Sequence, residues 1–310
     1  MDPILVISNS AAGTSDEAVL ETALAVLRQQ CSVEVAGTAT SGELDSVLHR
    51  AGSRRIVVAG GDGSLHAVIA ALHRRNELKK AVVGLLPLGT GNDFARGNGI
   101  PLDIEEAARV LCSGVVRPRD LVVDDTGQVV VNNVHVGAGA QASRIGARVK
   151  ERLGSIGVGK VNLGRLGYPI GALVAALRPR TLRLTVEVDG EVVADRDRPV
   201  LQVAVGNGAQ VGGGTELTPY ADAGDGRLDV MISRPAGRLA MLGYAAGLVV
   251  GRHAERTDVT YLRGSTVTVS GEKFWLSADG ELSGPERHRT WRLEPAAYSM
   301  VLPAEEQADR

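Results

Sequence analysis

Residues 1–123 alternate between short, largely apolar runs and longer stretches whose apolar positions recur at helical spacing. The runs Ile4–Ile7, Val33–Ala36, Ile56–Ala59 and Val82–Leu86 predict buried strands. Between and after them, Leu20, Ala23, Leu24 and Leu27 follow the i, i+3, i+4, i+7 pattern of a one-faced helix. Leu44, Val47, Leu48 and Ala51 repeat it, as do Leu65, Val68, Ile69 and Leu72, then Ile104, Ala107, Ala108 and Leu111. Asp103 and Glu106 stand where an N-cap and its N3 partner belong. Helices of one register between short strands predict helices packed on a parallel sheet.

After about residue 124 the pattern changes to period two. Leu182, Leu184, Val186 and Val188 alternate with polar residues, and so do Leu201, Val203 and Val205. Val129–Val131, Leu228–Ile232, Thr266–Val269, Phe274–Leu276 and Thr290–Leu293 add strand candidates. Asp189-Gly190 and Asp279-Gly280 are hairpin dipeptides. This half, 124–295, reads as a mostly antiparallel β domain with helical inserts near 143–152, 163–177 and 238–250. The strand candidate Tyr298–Leu302, within 296–310, is expected to return to the first domain, 1–123.

Two glycine-rich turns follow predicted strands. Gly60-Gly61-Asp62-Gly63-Ser64 comes after Ile56–Ala59, and Pro87-Leu88-Gly89-Thr90-Gly91-Asn92-Asp93-Phe94 after Val82–Leu86. Glycine lets the backbone approach a ligand closely, and a turn that opens a helix offers free N–H groups to an anion such as phosphate. Either turn alone is ordinary punctuation. At successive strand ends of one sheet, both turns would face one crevice.

Gly154 to Val161 nearly matches a P-loop, but Val161 stands where the hydroxyl residue belongs. No Gly-x-Gly-x-x-Gly follows the first strand. Asp279-Gly280-Glu281 taken alone is a hairpin turn with an exposed carboxylate. Gly212 to Leu228, with Asp222, Asp225 and Arg227, reads either as a flexible loop or as a carboxylate-and-carbonyl cation site.

Composition adds limits. Cys31 and Cys112 are the only cysteines, too few for a disulfide framework, and a reducing cytosol is expected. No signal-peptide pattern or spanning segment is read. A net charge of -2 gives no support to nucleic-acid binding. Arg144 to Arg183 nonetheless holds nine basic residues against Glu151. Interleaved apolar residues make this stretch either a peripheral membrane contact or a solvated helical face.

Taken together, the segments resemble the diacylglycerol-kinase catalytic family, lipid kinases that include sphingosine and ceramide kinases. Gly60–Ser64 is similar to its GGDGT motif, and Pro87–Arg96 to its second motif. Gly206-Asn207 with Gly212–Gly214, Pro219, Asp225-Gly226 and Leu228-Asp229 is similar to a third block, and Asp279–Glu281 to a fourth. Gly164–Tyr168 resembles a further family segment. Ser64, His66 and Ser10 depart from the usual residues.

The resemblance implies an N-terminal nucleotide-binding α/β domain related to NAD kinases and phosphofructokinases, and a C-terminal β-sandwich, with ATP in the cleft. It implies ATP contacts at Thr38, Gly60, Gly61, Asp62, Gly63, Ser64, Leu65, His66 and Thr90, in motifs that also hold Gly89, Asn92 and Asp93. Glu281 maps to the general base, and Asp62, Asp93 and Asp279 to carboxylates that position catalytic Mg²⁺. A structural Mg²⁺ maps to the Asp225 side chain and the carbonyls of Asp222 and Arg227. The expected activity is γ-phosphate transfer to a lipid hydroxyl, diacylglycerol first. Other lipids, NAD as acceptor, or a silent nucleotide-binding regulator are the rivals. A cytoplasmic, peripherally membrane-bound protein is expected, with homodimer formation left open.

Overall fold

The structure is a computed structural model that describes residues 3–9, 14–138, 140 and 181–304. The inserts expected at 143–152 and 163–177, the near-P-loop at 154–161, the Tyr168 segment, Ser10 and most of the basic stretch lie outside the described residues. Two compact units are present, Met1–Leu121 with Pro295–Arg310, and Val122–Glu294.

The first unit contains β1 (Ile4–Asn9), α1 (Thr14–Arg28), β2 (Val33–Thr38), α2 (Ser41–His49), β3 (Arg55–Gly60), α3 (Asp62–Arg74), β4 (Val82–Pro87), α4 (Asp93–Gly97), α5 (Ile104–Ser113) and most of β5 (Val115–Asp124). Strands β4, β3, β1 and β2 pair in that order, all parallel. Met300, near the chain's end, pairs in parallel with Val83. The apolar runs of β1, β3 and β4 are buried because helices flank the sheet, whereas β2, expected to be buried, is the edge strand and is largely exposed, Val35 included. Helix α3 buries Leu65, Val68, Ile69 and Leu72 as its spacing predicts. Asp103 caps α5, accepting from the N–H groups of Glu105 and Glu106.

The second unit contains β6 (Val129–Val130), β7 (Asn133–Gly137), β8 (Leu184–Val188), β9 (Glu191–Ala194), β10 (Gln202–Gly206), β11 (Gln210–Val211), β12 (Thr215–Glu216), β13 (Leu228–Ser233), α6 (Gly237–Val249), β14 (Val259–Gly264) and β15 (Thr266–Ala278), with most of β16 (Glu281–Leu302). Strands β14, β13, β10 and β7 pair antiparallel, and the end of β15 continues that sheet. The start of β15 instead pairs with β8, which pairs with β9. Register shifts between Ser270 and Leu276 let one strand serve both layers. Val134, Val186, Val203, Val230, Val269 and Trp291 meet in the core between the layers.

Two pairs of short strand candidates are therefore single long strands, β15 and β16. Their irregular pairing interrupts the alternation that would have shown them as continuous.

Candidate functional site

The strand order β4-β3-β1-β2 reverses direction at β1. The chain leaves β1 for β2 on one side and resumes at β3 on the other. Such a switch point leaves a crevice beyond the carboxyl ends of the strands. A cavity of about 550 Å³ lies there, lined by Asn9, Thr38, Gly61, Gly63, Ser64 and His66 among others. That volume suits a nucleotide-sized ligand.

Two helices start at this cavity, and they differ. At α2, Thr40 Oγ1 accepts from the N–H of Glu43 at 3.2 Å, and Glu43 Oε2 accepts from the N–H of Ala39 at 2.7 Å. That end is capped by its own side chains. At α3 the cap residue is Gly61, with no side-chain cap. The start of α3 thus keeps donors and a positive dipole end for an anion.

The second glycine-rich turn is locked to the first. Asp62 Oδ2 accepts from the N–H of Asp93 at 3.0 Å, and Oδ1 from that of Phe94 at 2.9 Å. Leu88 donates to the Gly60 carbonyl at 3.1 Å. A Cβ added to Gly89 would lie 2.5 Å from Gly61 Cα, so both positions need glycine for the backbones to touch. Asn92, in the left-handed region at φ 52°, closes its own turn. Its Oδ1 accepts from Gly89 N–H at 3.0 Å, and its Nδ2 donates to the Gly89 carbonyl at 2.7 Å.

In the second unit, Asp279 and Gly280 take φ values of 46° and 88° at the tight turn between β15 and β16. The Asp279 carboxylate accepts from the N–H groups of Val131, Asn132 and Asn133 at 2.7 to 3.2 Å. Asn207 Nδ2 donates to the Val131 carbonyl at 2.8 Å and extends that anchoring. Glu281 begins β16 and is exposed. His135, buried on β7, has its imidazole pushed down to about 4 by desolvation, with the Asp279 charge opposing.

The loop before β13 holds Asp222, Asp225 and Arg227 together. Asp225 Oδ1 accepts from Arg227 N–H at 3.0 Å, and Asp222 Oδ1 from Gly224 N–H at 3.0 Å. Asp225 Oδ2, however, lies 2.5 Å from Arg263 Nη2. The same guanidinium reaches buried Asp229 at 3.3 Å and the Tyr220 carbonyl at 3.2 Å. Burial raises the Asp229 carboxyl, while hydrogen bonds from Tyr261 and Arg263 oppose that rise. The Tyr261 hydroxyl is itself raised by burial and by Asp229. Of the groups expected to hold a structural Mg²⁺, the Asp225 carboxylate is here paired with the Arg263 guanidinium. Among the described residues no cluster of three or more His, Cys, Asp or Glu has a metal-holding arrangement.

Residues 3–123 match the diacylglycerol kinase catalytic domain, and residues 132–302 match the YegS C-terminal NAD kinase beta sandwich-like domain. The chain belongs to the lipid kinase family of YegS-like proteins and diacylglycerol kinases. Within that lipid kinase family it is 31% identical to the "Probable lipid kinase YegS-like" of Xanthomonas euvesicatoria pv. vesicatoria, over 94% of each chain. It is 30% identical to the diacylglycerol kinase of Bacillus subtilis, over 74% of this chain and 71% of that one. A crystal structure of a diacylglycerol kinase from Bacillus anthracis shares the fold, with a TM-score of 0.75 at 23% identity and 97% coverage of both chains. The family architecture, an α/β domain followed by a sandwich-like β domain, is the one the sequence predicts.

The expected site residues fall into distinct roles. Thr38, Gly61, Gly63, Ser64 and His66 line the cavity. Gly60, Gly89, Asn92, Asp93 and Asp62 build and join the two turns, and Thr90 is exposed on the second. Leu65 is a core residue whose N–H bonds the Gly61 carbonyl, so its side chain is not at the ligand surface. Sequence reasoning missed Arg263, Tyr261 and His135. Arg263 lies 34 and 38 residues from its two carboxylate partners, and no local spacing marks it.

Proposed function

We propose that this family member is an ATP-dependent kinase that phosphorylates a lipid hydroxyl, with diacylglycerol as substrate and phosphatidic acid as product. The observation that carries the reading is the uncapped start of α3 at the switch-point cavity. Backbone N–H groups there suit the phosphates of ATP, and Thr38 and His66 line the volume left for the rest of the nucleotide. The diacylglycerol kinase name of the Bacillus subtilis relative supports the choice of lipid.

Asp62 and Asp93 would meet Mg²⁺ carried in by ATP, through water, since Asp62 already accepts two backbone hydrogen bonds. Bound Mg²⁺ would offset charge on the β- and γ-phosphates. Asp279 orders residues 131–133 by accepting their amides, which fixes the turn that presents Glu281. Glu281 is proposed as general base, taking the proton from the lipid hydroxyl as its oxygen bonds to the γ-phosphorus and the bond to ADP breaks.

The Glu281→Gln variant tests the assignment. Its thermal midpoint and ATP affinity are expected to match wild type, with turnover about a hundredfold lower or more. Turnover near wild type removes Glu281 from the role.

A further inference from the structure

Helix α6 is apolar on both sides. Its inner face buries Met241, Tyr244 and Leu248 against Leu201, Ala204 and Met231. The outer face of a surface helix is ordinarily polar. Here it carries Leu239, Leu242, Ala246 and Val249, continued by Val250, at the i, i+3, i+7, i+10, i+11 spacing of one stripe. Leu239 is 85% exposed, Val249 70% and Val250 68%. Single exposed leucines are normal, but a contiguous stripe marks a contact surface.

Charge identifies the occupant. From Gly237 to Ala254 there is no Asp or Glu, while exposed Arg238 and Arg252 stand at the two ends of the stripe. Glu255 follows the stripe in sequence, and Glu216 Oε2 lies 3.8 Å from where a Cβ on Gly251 would stand, at the C-terminal end of the stripe beside Arg252. Aliphatic side chains bounded by arginines match the acyl and anionic headgroup layers of a bilayer, with the arginine stems running along the apolar zone. A second copy of the chain is a poor fit. Five aliphatic side chains fall well short of the roughly 20–30 residues a side of a stable protein interface.

We infer that the outer face of α6 is a docking surface for an anionic lipid bilayer, inserting Leu239, Leu242, Val249 and Val250 to the acyl boundary. The inference rests on the lipid-kinase reading only for why a bilayer would be visited. Its deciding readout, vesicle binding, therefore needs no ATP.

Full-length protein is sedimented with vesicles of phosphatidylcholine containing phosphatidylglycerol, and with phosphatidylcholine alone. Wild type is expected to partition to the anionic vesicles, and Leu239→Gln with Val250→Gln to lower that partition about tenfold. Arg238→Gln with Arg252→Gln should remove the preference for anionic lipid, and Val192→Gln, at another exposed apolar site, should change nothing. Each variant is checked for an unchanged thermal midpoint, and for phosphorylation of a short-chain, water-soluble diacylglycerol at the wild-type rate. Loss of vesicle binding with that rate retained supports the docking surface. Unaltered vesicle binding by both double variants overturns it, as does wild-type dimerisation abolished by the glutamine pair. Absence of all phosphorylation in wild type, with vesicle binding as expected, would count against the kinase reading alone.

Discussion

Both carboxylate oxygens of Asp62 are spent on the backbone of the neighbouring turn, one on the N–H of Asp93 and one on that of Phe94. A charged acceptor in this position holds the second glycine-rich turn against the first. Hydrogen bonds to a charged group contribute about 1.5–3 kcal/mol, and an Asn side chain turns one acceptor into a donor facing a donor. Asp62→Asn is expected to lower stability by about 1–3 kcal/mol in denaturant titration and to weaken ATP binding at the same time. Unchanged stability with lost turnover would assign Asp62 to the ligand alone.

The backbone contact between the turns sets up a contrast between two glycines. At Gly89 an added Cβ would meet Gly61 Cα at 2.5 Å and Asn92 Oδ1 at 2.8 Å. At Gly63 it would meet nothing within 4 Å. Gly89→Ala should destabilise by about 1–3 kcal/mol, the usual cost of overpacking, and Gly63→Ala should leave the thermal midpoint near wild type. Equal midpoints for the two variants would mean that the turns do not touch.

Arg263 concentrates the charge balance of the loop before β13. Replacing it with Met leaves Asp229 buried without its cation, and a loss of about 1–3 kcal/mol is expected, discounted because the guanidinium is half-exposed. Since the guanidinium already offsets Asp225, chelation by EDTA should leave the wild-type midpoint unmoved. A fall of several degrees on chelation would return a resident cation to this loop.

His135 predicts a direction of pH dependence. Its folded value of about 4 lies below the ordinary 6.5, so the unfolded chain binds the extra proton between those limits. The contribution to stability is full above about 6.5 and is lost as pH falls toward 4, on the order of 1 kcal/mol per pH unit. Thermal midpoints of wild type and His135→Asn should converge on acidification through this window. Parallel curves would show that the imidazole does not titrate as described.

Much of the first unit was legible because its determinants are local. Leu65, Val68, Ile69 and Leu72 lie on one helical face and are buried there, and Asp103 sits at its cap. Parallel strands covered on both faces leave continuous apolar runs, which is how β3 and β4 show in the sequence. The long strands β15 and β16 were hidden because paired partners and irregularities, not periodicity, hold them together. Within the site, the carboxylates of Asp62 and Asp279 could be picked out by motif. That their oxygens face backbone amides 31–32 and 146–148 residues away could not, because hydrogen-bond partners at that separation are a property of topology. Arg263 was missed for the same reason.

The most direct test is transfer of label from [γ-³²P]ATP with Mg²⁺ into a panel of diacylglycerol, sphingoid base, ceramide and NAD presented to the purified protein. Label is expected in phosphatidic acid, with the rate of transfer about a hundredfold lower or more when Glu281→Gln replaces wild type. Label in NAD alone, or in none of the acceptors despite ATP binding, would contradict lipid phosphorylation by this chain.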